Sequence, residues 1–449
     1  MIRVRASRLE NFFIAGFATV IIVAYRWALV GELGNETPFW DQWDAEAWGL
    51  YRPWLLGTLE LKDLFAAHNE HRIFTTRIWS LALFEFNGRE WSPLLQMKAN
   101  AIVYGVICFC LLYYLSEQQD RVFRFSAAIS IVLFSCAPFS WENILAGFQS
   151  QFYFLLLFSF AAIFSVTRSS TPASYLLAAA FSALAYLSGA GGLLTPLAVS
   201  GVILYRGYSL GNFPGKDRWA VLLFASIASL FYWLTPHVAG HDSLRADGVA
   251  NLLVAFRYSV AWPVVFLGGA WFASFPLLCF FIYRLREDKA VKTVDHRALL
   301  QIALGGWVLI QLFTLSYSRA EGVLASRYMD IYSIGLVLNL LMALHFIRLS
   351  STKALLRASS VLAILWGLLL FASLPMAIGQ SWQAAVHRSQ ITSIQQQRVM
   401  AYICNGDLAA LLTAPHMHIP YPSGPALKSF VDDETVRKIL PTELKRCAE

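Results

Sequence analysis

The chain has 449 residues, of which 57% are hydrophobic, 15% aromatic and only 14% charged, with a mean hydropathy of +0.53. A soluble domain runs about 45–50% apolar and about 25% charged, so the composition excludes an ordinary water-soluble globule. The formal charge of +7 is not a nucleic-acid footprint, because the basic residues fall in small groups between alternate apolar runs, the positive-inside pattern of a membrane protein.

In chain order the apolar runs predict spans at 11–30, 94–115, 125–139, 148–167, 173–188, 192–206, 219–236, 258–283, 299–317, 329–348 and 355–379. That makes about eleven passes of roughly the length a hydrocarbon core requires. The predicted fold is an all-α polytopic bundle; a β-barrel would show short alternating segments instead. Arg3, Arg5 and Arg8 precede the first run as they would in a signal peptide, but the run is long and ends in Tyr25-Arg26-Trp27. With no small-x-small cleavage site there, it reads as a signal anchor. The basic groups, Arg121/Arg124, Arg168, Arg206/Lys216/Arg218, Arg284 to Arg297 and Arg348/Lys353/Arg357 among them, alternate with the spans, whereas the first loop is acidic. This predicts a cytoplasmic amino terminus and an outer first loop.

That loop, 31–92, is longer than a connector needs to be. Ala45 to Leu56 and Leu64 to Phe84 have helical apolar spacing with tryptophans at 43, 48, 54, 79 and 91, which predicts interfacial helices anchored by tryptophan or, less simply, sugar-stacking rings. Two aspartates open the loop in Trp40-Asp41-Gln42-Trp43-Asp44. Asp41 and Asp44 read either as helix N-caps or as a general base towards an acceptor hydroxyl. The loop continues with His68-Asn69-Glu70-His71-Arg72. If helical, His68 and His71 stand one turn apart, a spacing that can ligate a metal, although the His-Glu-x-x-His protease pattern is absent. Acceptor binding and a merely polar interfacial helix are the other readings.

Farther along, Lys98 lies in the outer turn of the second span, where it either snorkels or meets an anion. Trp141-Glu142-Asn143 lies in the loop between the third and fourth spans, and Gln149-Ser150-Gln151 then enters the fourth; such side chains bind sugar hydroxyls or glue helices together. Ser188-Gly189-Ala190-Gly191-Gly192 is either a tight turn or a break in a re-entrant segment. His237, His241 and Asp242 read as a solvated loop. Arg319, Glu321, Arg327, Tyr328 and Asp330 cluster before the tenth span. Arg327 suits a phosphate through its planar fork, or else pairs with Asp330 or Glu321. The tail, 380–449, reads as a small outer appendage that starts with a helix over about 380–413, apart from the membrane domain of 1–379. Cys108, Cys110, Cys136 and Cys279 lie in spans as small core residues; Cys404 and Cys447 in the tail are a disulfide or two free thiols. P-loop, dinucleotide and Gly-x-Ser-x-Gly motifs are absent, so an activated substrate is expected through the lipid phase.

The inside amino terminus, the long first outer loop and the acids just past the first span resemble the GT-C superfamily of polytopic glycosyltransferases. The sequence is also similar to uncharacterised bacterial membrane proteins carrying Trp-Asp-Gln-Trp-Asp, His-Asn-Glu-His-Arg and the Glu-Asn-x-x-x-Gly-Phe-Gln found here from Glu142 to Gln149. The resemblance implies transfer of a sugar, with inversion, from a polyprenyl-phosphate donor to a cell-envelope acceptor at the outer face of a bacterial inner membrane. It implies Asp41 or Asp44 as base, Arg327, Lys98 and Tyr328 at the donor phosphate, and His68, Glu70, His71, Arg72, Glu142, Asn143 and Gln149 for acceptor or sugar. No cofactor is required; a divalent cation, if used, would sit on the two aspartates with His68 or His71. The expected partners are the lipid-linked sugar and membrane lipid, with no nucleic acid. A glycolipid transporter or flippase, and a polysaccharide polymerase or ligase, are the competing readings.

Overall fold

The computed structural model describes residues 2–117, 119–264, 274–349 and 354–447. The main helices are α1 (Ile2–Leu33), α2 (Phe74–Phe86), α3 (Pro93–Leu115), α4 (Arg121–Cys136), α5 (Ser150–Arg168), α6 (Pro172–Tyr186) and α7 (Thr195–Leu210). They continue as α8 (Gly215–Leu234), α9 (Val249–Ala261), α10 (Phe275–Val291), α11 (His296–Ser318), α12 (Met329–Leu349), α13 (Ala354–Asn405) and α14 (Gly424–Asp432). Among the described residues, nine helical stretches are long and apolar enough to cross a membrane, and the only sheet is a two-stranded ribbon in the first loop.

The bundle is held by apolar packing of α1 on α3 and α4, of α12 on α4 and α13, and of α5, α7 and α11 on one another. Its outward faces stay apolar as well: Phe17, Ile129 and Leu176 are about two-thirds exposed or more. A bundle apolar on both sides suits lipid as the solvent, where backbone polar groups must be satisfied internally. One charged pair is buried inside it. Arg26 of α1 donates to Asp330 of α12 at 3.1 Å, both almost fully buried. Arg26 also reaches the Tyr153 hydroxyl at 2.9 Å and lies 3.5 Å over the Tyr104 ring. Asp330 accepts further from Ser140 and Asn143, so the pair is fully hydrogen-bonded, as a buried charge requires.

Four expectations change. The predicted span 258–283 is not one helix. α9 ends at Ala261, Trp262 is extended and Pro263 follows, because proline lacks an N–H and disfavours helix in the residue before it; part of that predicted span, 265–273, lies outside the described residues. The boundary at 379 is no break: α13 runs unbroken through Pro375 to Asn405 and stops at Gly406, which has the positive φ of a helix C-terminal glycine. The helix expected over Leu64 to Phe84 exists only as α2. Ahead of it, β1 (Ala67–His68) pairs with β2 (His71–Arg72) in an antiparallel hairpin, turned by Asn69 at positive φ. Trp43 and Trp91 are fully buried rather than interfacial.

The tail is not a separate appendage. Trp43, Tyr51, Phe84 and Trp91 of the first loop share one apolar cluster with Leu427, Val431 and Leu440 of the tail. Arg52 pairs with Asp433 at 2.8 Å, Glu90 accepts from Thr442, and Trp91 N–H donates to the Ile439 carbonyl. Cys404 and Cys447 form a disulfide between the end of α13 and the end of the described tail. Loop and tail are thus one unit on one end of the bundle.

Candidate functional site

The aspartates are placed by a strained turn and a wide helix. Trp40 has positive φ, a conformation costly for a bulky side chain, and its N–H is held by the Pro420 carbonyl at 2.8 Å. From Gln42 to Tyr51 the chain then winds as a π-helix, a rare form that clusters at functional sites. Asp41 caps the start of that helix without a side-chain cap bond, and Asp44 bonds the adjacent Ala45 N–H at 2.8 Å.

The inner face of this helix is fixed by a polar network. The fully buried Glu46 carboxylate accepts from Ser80, Gln96, Gln42 and Trp91 at 2.7–3.2 Å. Burial raises its pKa above the ordinary value, against those hydrogen bonds. Gln96 joins Gln42 at 2.7 Å, and Gly147 is packed so closely on this pair that a Cβ would lie 2.3 Å from the Gln96 Oε1. Asn100 takes the Gly147 carbonyl at 2.8 Å. The sequence Glu142 to Gln149 is therefore clamped against α3.

His68 comes to the aspartates from the hairpin. Its Nε2 lies 3.4 Å from Asp41 Oδ1, with His68 mostly buried and Asp41 more than one-third exposed, and its ring meets Phe148 edge-on at 5.5 Å. Arg77 holds the approach to the hairpin through the Leu64 and Ala66 carbonyls, and Arg72 through those of Phe65 and Leu234. One donor atom from each of Asp41, Asp44 and His68 lies within 4.8 Å of the others.

Within this cluster the histidine and the carboxylates support one another's charge, while the two carboxylates oppose each other. Burial opposes a charged His68 ring, but the hydrogen bond to Asp41 and the charges of Asp41 and Asp44 outweigh it, so His68 titrates above its ordinary value. Asp44 is raised by burial and then by Asp41, against the pull of His68. Tyr421 of the tail is beside them: burial and the Asp44 and Asp41 charges raise its hydroxyl. A mixed nitrogen and carboxylate set of this size fits a divalent cation, and it equally fits a carboxylate poised to take a proton.

The other residues of the first loop go elsewhere. Glu70 accepts from His241 at 2.6 Å and from Arg319 at 3.0 and 3.1 Å. Burial would raise its pKa, but these partners hold the carboxylate well below its usual range. His241 is therefore a partner of the first loop rather than a solvated residue. His71 faces the glycine turn, where its Nδ1 accepts from Ala190 N–H at 3.2 Å. Burial keeps its ring neutral, with a pKa of about 4. Of the two histidines, only His68 joins the aspartates. The glycines themselves form a tight turn through a short helix, Ala190–Leu194, with Gly192 backed directly onto the Ala185 backbone.

Arg327 forms a second group. Its guanidinium is 3.6 Å from Glu142 and nearly half exposed, while its N–H donates to the same carboxylate at 3.0 Å. The ion pair expected between Arg327 and Asp330 is absent, because Asp330 faces Arg26. Asn143 is completely buried and bonds Asp330 and the Arg327 carbonyl, which makes it a fastener of this loop and closes it to sugar. Tyr328 is mostly buried, edge-on to Phe152. Lys98 is not brought to the group: it is exposed on the face of α3 opposite Gln96 and Asn100, given 100° per helical residue. Gln149 is half-buried and accepts from Gln151.

Sequence reasoning passed over Tyr421, Glu46 and Arg388. Arg388 of α13 stacks its guanidinium 3.5 Å over Phe39, two residues before Asp41. None of the three has a sequence signal, since each depends on a contact with a residue more than 30 positions away. Between α13 and the turns before α5 and α12 runs a cleft of about 480 Å³, bordered by Phe139, Trp141, Trp262, Ser326 and Met376. No family model matches the chain, and no curated protein matches it.

Proposed function

We propose that the chain is a membrane glycosyltransferase of the GT-C kind, moving a sugar with inversion from a polyprenyl-phosphate donor to a cell-envelope acceptor. In this reading it crosses a bacterial inner membrane about eleven times, with its amino terminus in the cytoplasm and the loop–tail unit outside. The observation that carries it is the convergence of Asp41, Asp44 and His68 at the loop end of the bundle.

The acceptor oxygen attacks the anomeric carbon as the bond from that carbon to the phosphate oxygen breaks. The bonding pair leaves with the polyprenyl phosphate, and the acceptor proton passes to a carboxylate. Asp44 suits the base role, since its pKa is raised by burial and a base closer to the working pH accepts a proton more readily. Asp41, bonded to His68, orients the pair. Arg327 stabilises the charge that grows on the leaving phosphate, as fixed cations do. Lys98 has no part in this scheme. A divalent cation, where used, would be held by Asp41, Asp44 and His68 and would supply positive charge near the reacting oxygens.

The test is transfer from a broad panel of polyprenyl-phosphate sugars by protein purified in lipid. Asp44→Asn should fall by about 10²–10⁴-fold while remaining folded. Translocation of the lipid-linked sugar without transfer, equal in wild type and both aspartate variants, would replace this reading with a transporter.

A further inference from the structure

The π-helix that carries Asp44 has two faces. Trp43, Ala47, Leu50 and Tyr51 go into the core, while Asp44 is half-buried and Trp48 and Gly49 are exposed. Hydrogen bonds in such a helix span five residues, so Trp48 and Gly49 follow Asp44 by one turn. Trp48 is 43% exposed, yet it is firmly held. Arg52 stacks 4.6 Å over its ring, and Phe430 of the tail packs against it at 5.6 Å. Phe430 also meets Tyr421 at 5.2 Å, and the Tyr421 hydroxyl reaches Asp44. Gly49 leaves this face open, since a Cβ there would meet only the Asp44 carbonyl within 4 Å. An exposed indole, fixed by its neighbours, thus stands one turn from the carboxylate.

The surrounding chemistry selects what lies on that ring. Lipid tails do not suit it, because Arg52 is paired with Asp433 beside the ring and charges are expensive to hold in hydrocarbon. An anion is opposed by Asp41 and Asp44, and the nearby Arg52 is already paired. An extended peptide would seek a sheet edge, and among the described residues the strands are two residues each. A neutral sugar fits on each count. Its ring C–H groups, polarised by the adjacent oxygens, cover the negative face of an indole, and its hydroxyls donate to carboxylates in charge-assisted bonds.

We propose that the acceptor is a neutral oligosaccharide, with its terminal sugar at Asp44 and the next sugar on Trp48. The proposal rests on the transferase reading above and names the acceptor class. A single sugar fills only the part of the site at Asp44, so a chain of two or more is the better ligand.

The experiment is binding of neutral glucose, mannose and N-acetylglucosamine oligosaccharides, one to six sugars long, to the full chain in phosphatidylcholine nanodiscs, with oligogalacturonate as the anionic comparison. In at least one neutral series affinity should rise about tenfold from one sugar to two or three, and Trp48→Ala should remove that gain. Trp48→Phe should keep part of it. Trp54→Ala should keep all of it, since Trp54 is 40% exposed but is bonded to Glu85 instead. Oxidative footprinting of the unaltered protein should show Trp48 protected by the longer oligosaccharide and Trp54 not, which tests the site even if a variant misfolds. No length gain in any neutral series, a gain unchanged in folded Trp48→Ala, no protection of Trp48, or equal binding of oligogalacturonate overturns the proposal. Length-dependent binding at Trp48 with no transfer from any donor would keep this site and remove the transferase reading; transfer with the same acceptor KM in wild type and Trp48→Ala would do the reverse.

Discussion

The Trp40 N–H donates to the Pro420 carbonyl at 2.8 Å, joining residues 380 positions apart at the point where the chain turns into Asp41. The strained turn at Trp40 is therefore held by the tail, and Tyr421, the next residue, lies against Asp44. The aspartates depend on the tail for their position even though they belong to the first loop.

The disulfide should set how firmly the tail stays in place. Cys404 and Cys447 are 43 residues apart, and a cross-link over such a loop stabilises by about 2–4 kcal/mol. Cys404→Ser with Cys447→Ser should speed hydrogen exchange and proteolysis of residues 406–447, leaving the bundle helices protected. Equal exchange in the two proteins would show that the apolar cluster alone holds the tail.

Removing one partner of the buried Arg26–Asp330 pair should be costly. Asp330→Leu leaves a buried guanidinium uncompensated, a loss of about 3–5 kcal/mol, whereas Arg26→Met combined with Asp330→Leu should recover part of that. Thermal unfolding in detergent of the two singles and the double checks it; strictly additive losses would mean that the two charges are not coupled.

Gly147→Ala should disturb the site from beneath. Its Cβ would fall 2.3 Å from the Gln96 Oε1 and 3.0 Å from the Gln42 Nε2, and overpacking of this kind costs about 1–3 kcal/mol. The expected result is a lower melting temperature and, because Gln42 lies between the two aspartates, impaired transfer as well. A neutral effect on both would show that the network yields easily.

Stability should fall as pH rises through the range where His68 titrates. Its native pKa lies above the ordinary value of 6.5, so the native state holds that proton more tightly than the unfolded chain. The associated stabilisation is complete below 6.5 and is lost as pH climbs through the native pKa. Asp44, also raised, has the same sign at lower pH, above its ordinary value of 3.8. Melting curves from pH 5.5 to 8.5 should show a steeper fall for wild type than for His68→Gln; identical slopes would contradict the link between His68 and the aspartates.

Chelation should leave transfer intact if Asp44 works as a base, because a carboxylate bound to a cation is a poor proton acceptor. Activity after dialysis against EDTA, then with Mg²⁺ or Mn²⁺ restored, checks this. Loss and recovery would assign Asp41, Asp44 and His68 to a cation instead.

The sequence by itself determined the class of the molecule. Apolar runs of membrane length and alternating basic groups fix an all-α bundle in lipid, because segment length and loop charge act locally and need no knowledge of packing. It also singled out Asp41, Asp44, His68 and Arg327, since charged residues beside apolar helices stand out by composition alone. Tertiary structure decided what those residues face. Periodicity in Leu64 to Phe84 could not reveal that the stretch containing His68 and His71 turns as a hairpin, so their division between Asp41 and the Ala190 turn was invisible. The partners of Glu142, Asn143 and Asp330 come from helices nearly 200 residues away or more, and those of Asp44 and Phe39 from the tail and α13. A sequence records which side chains can carry charge or bury area; which of them meet is set by the helix packing and loop closure of the whole chain.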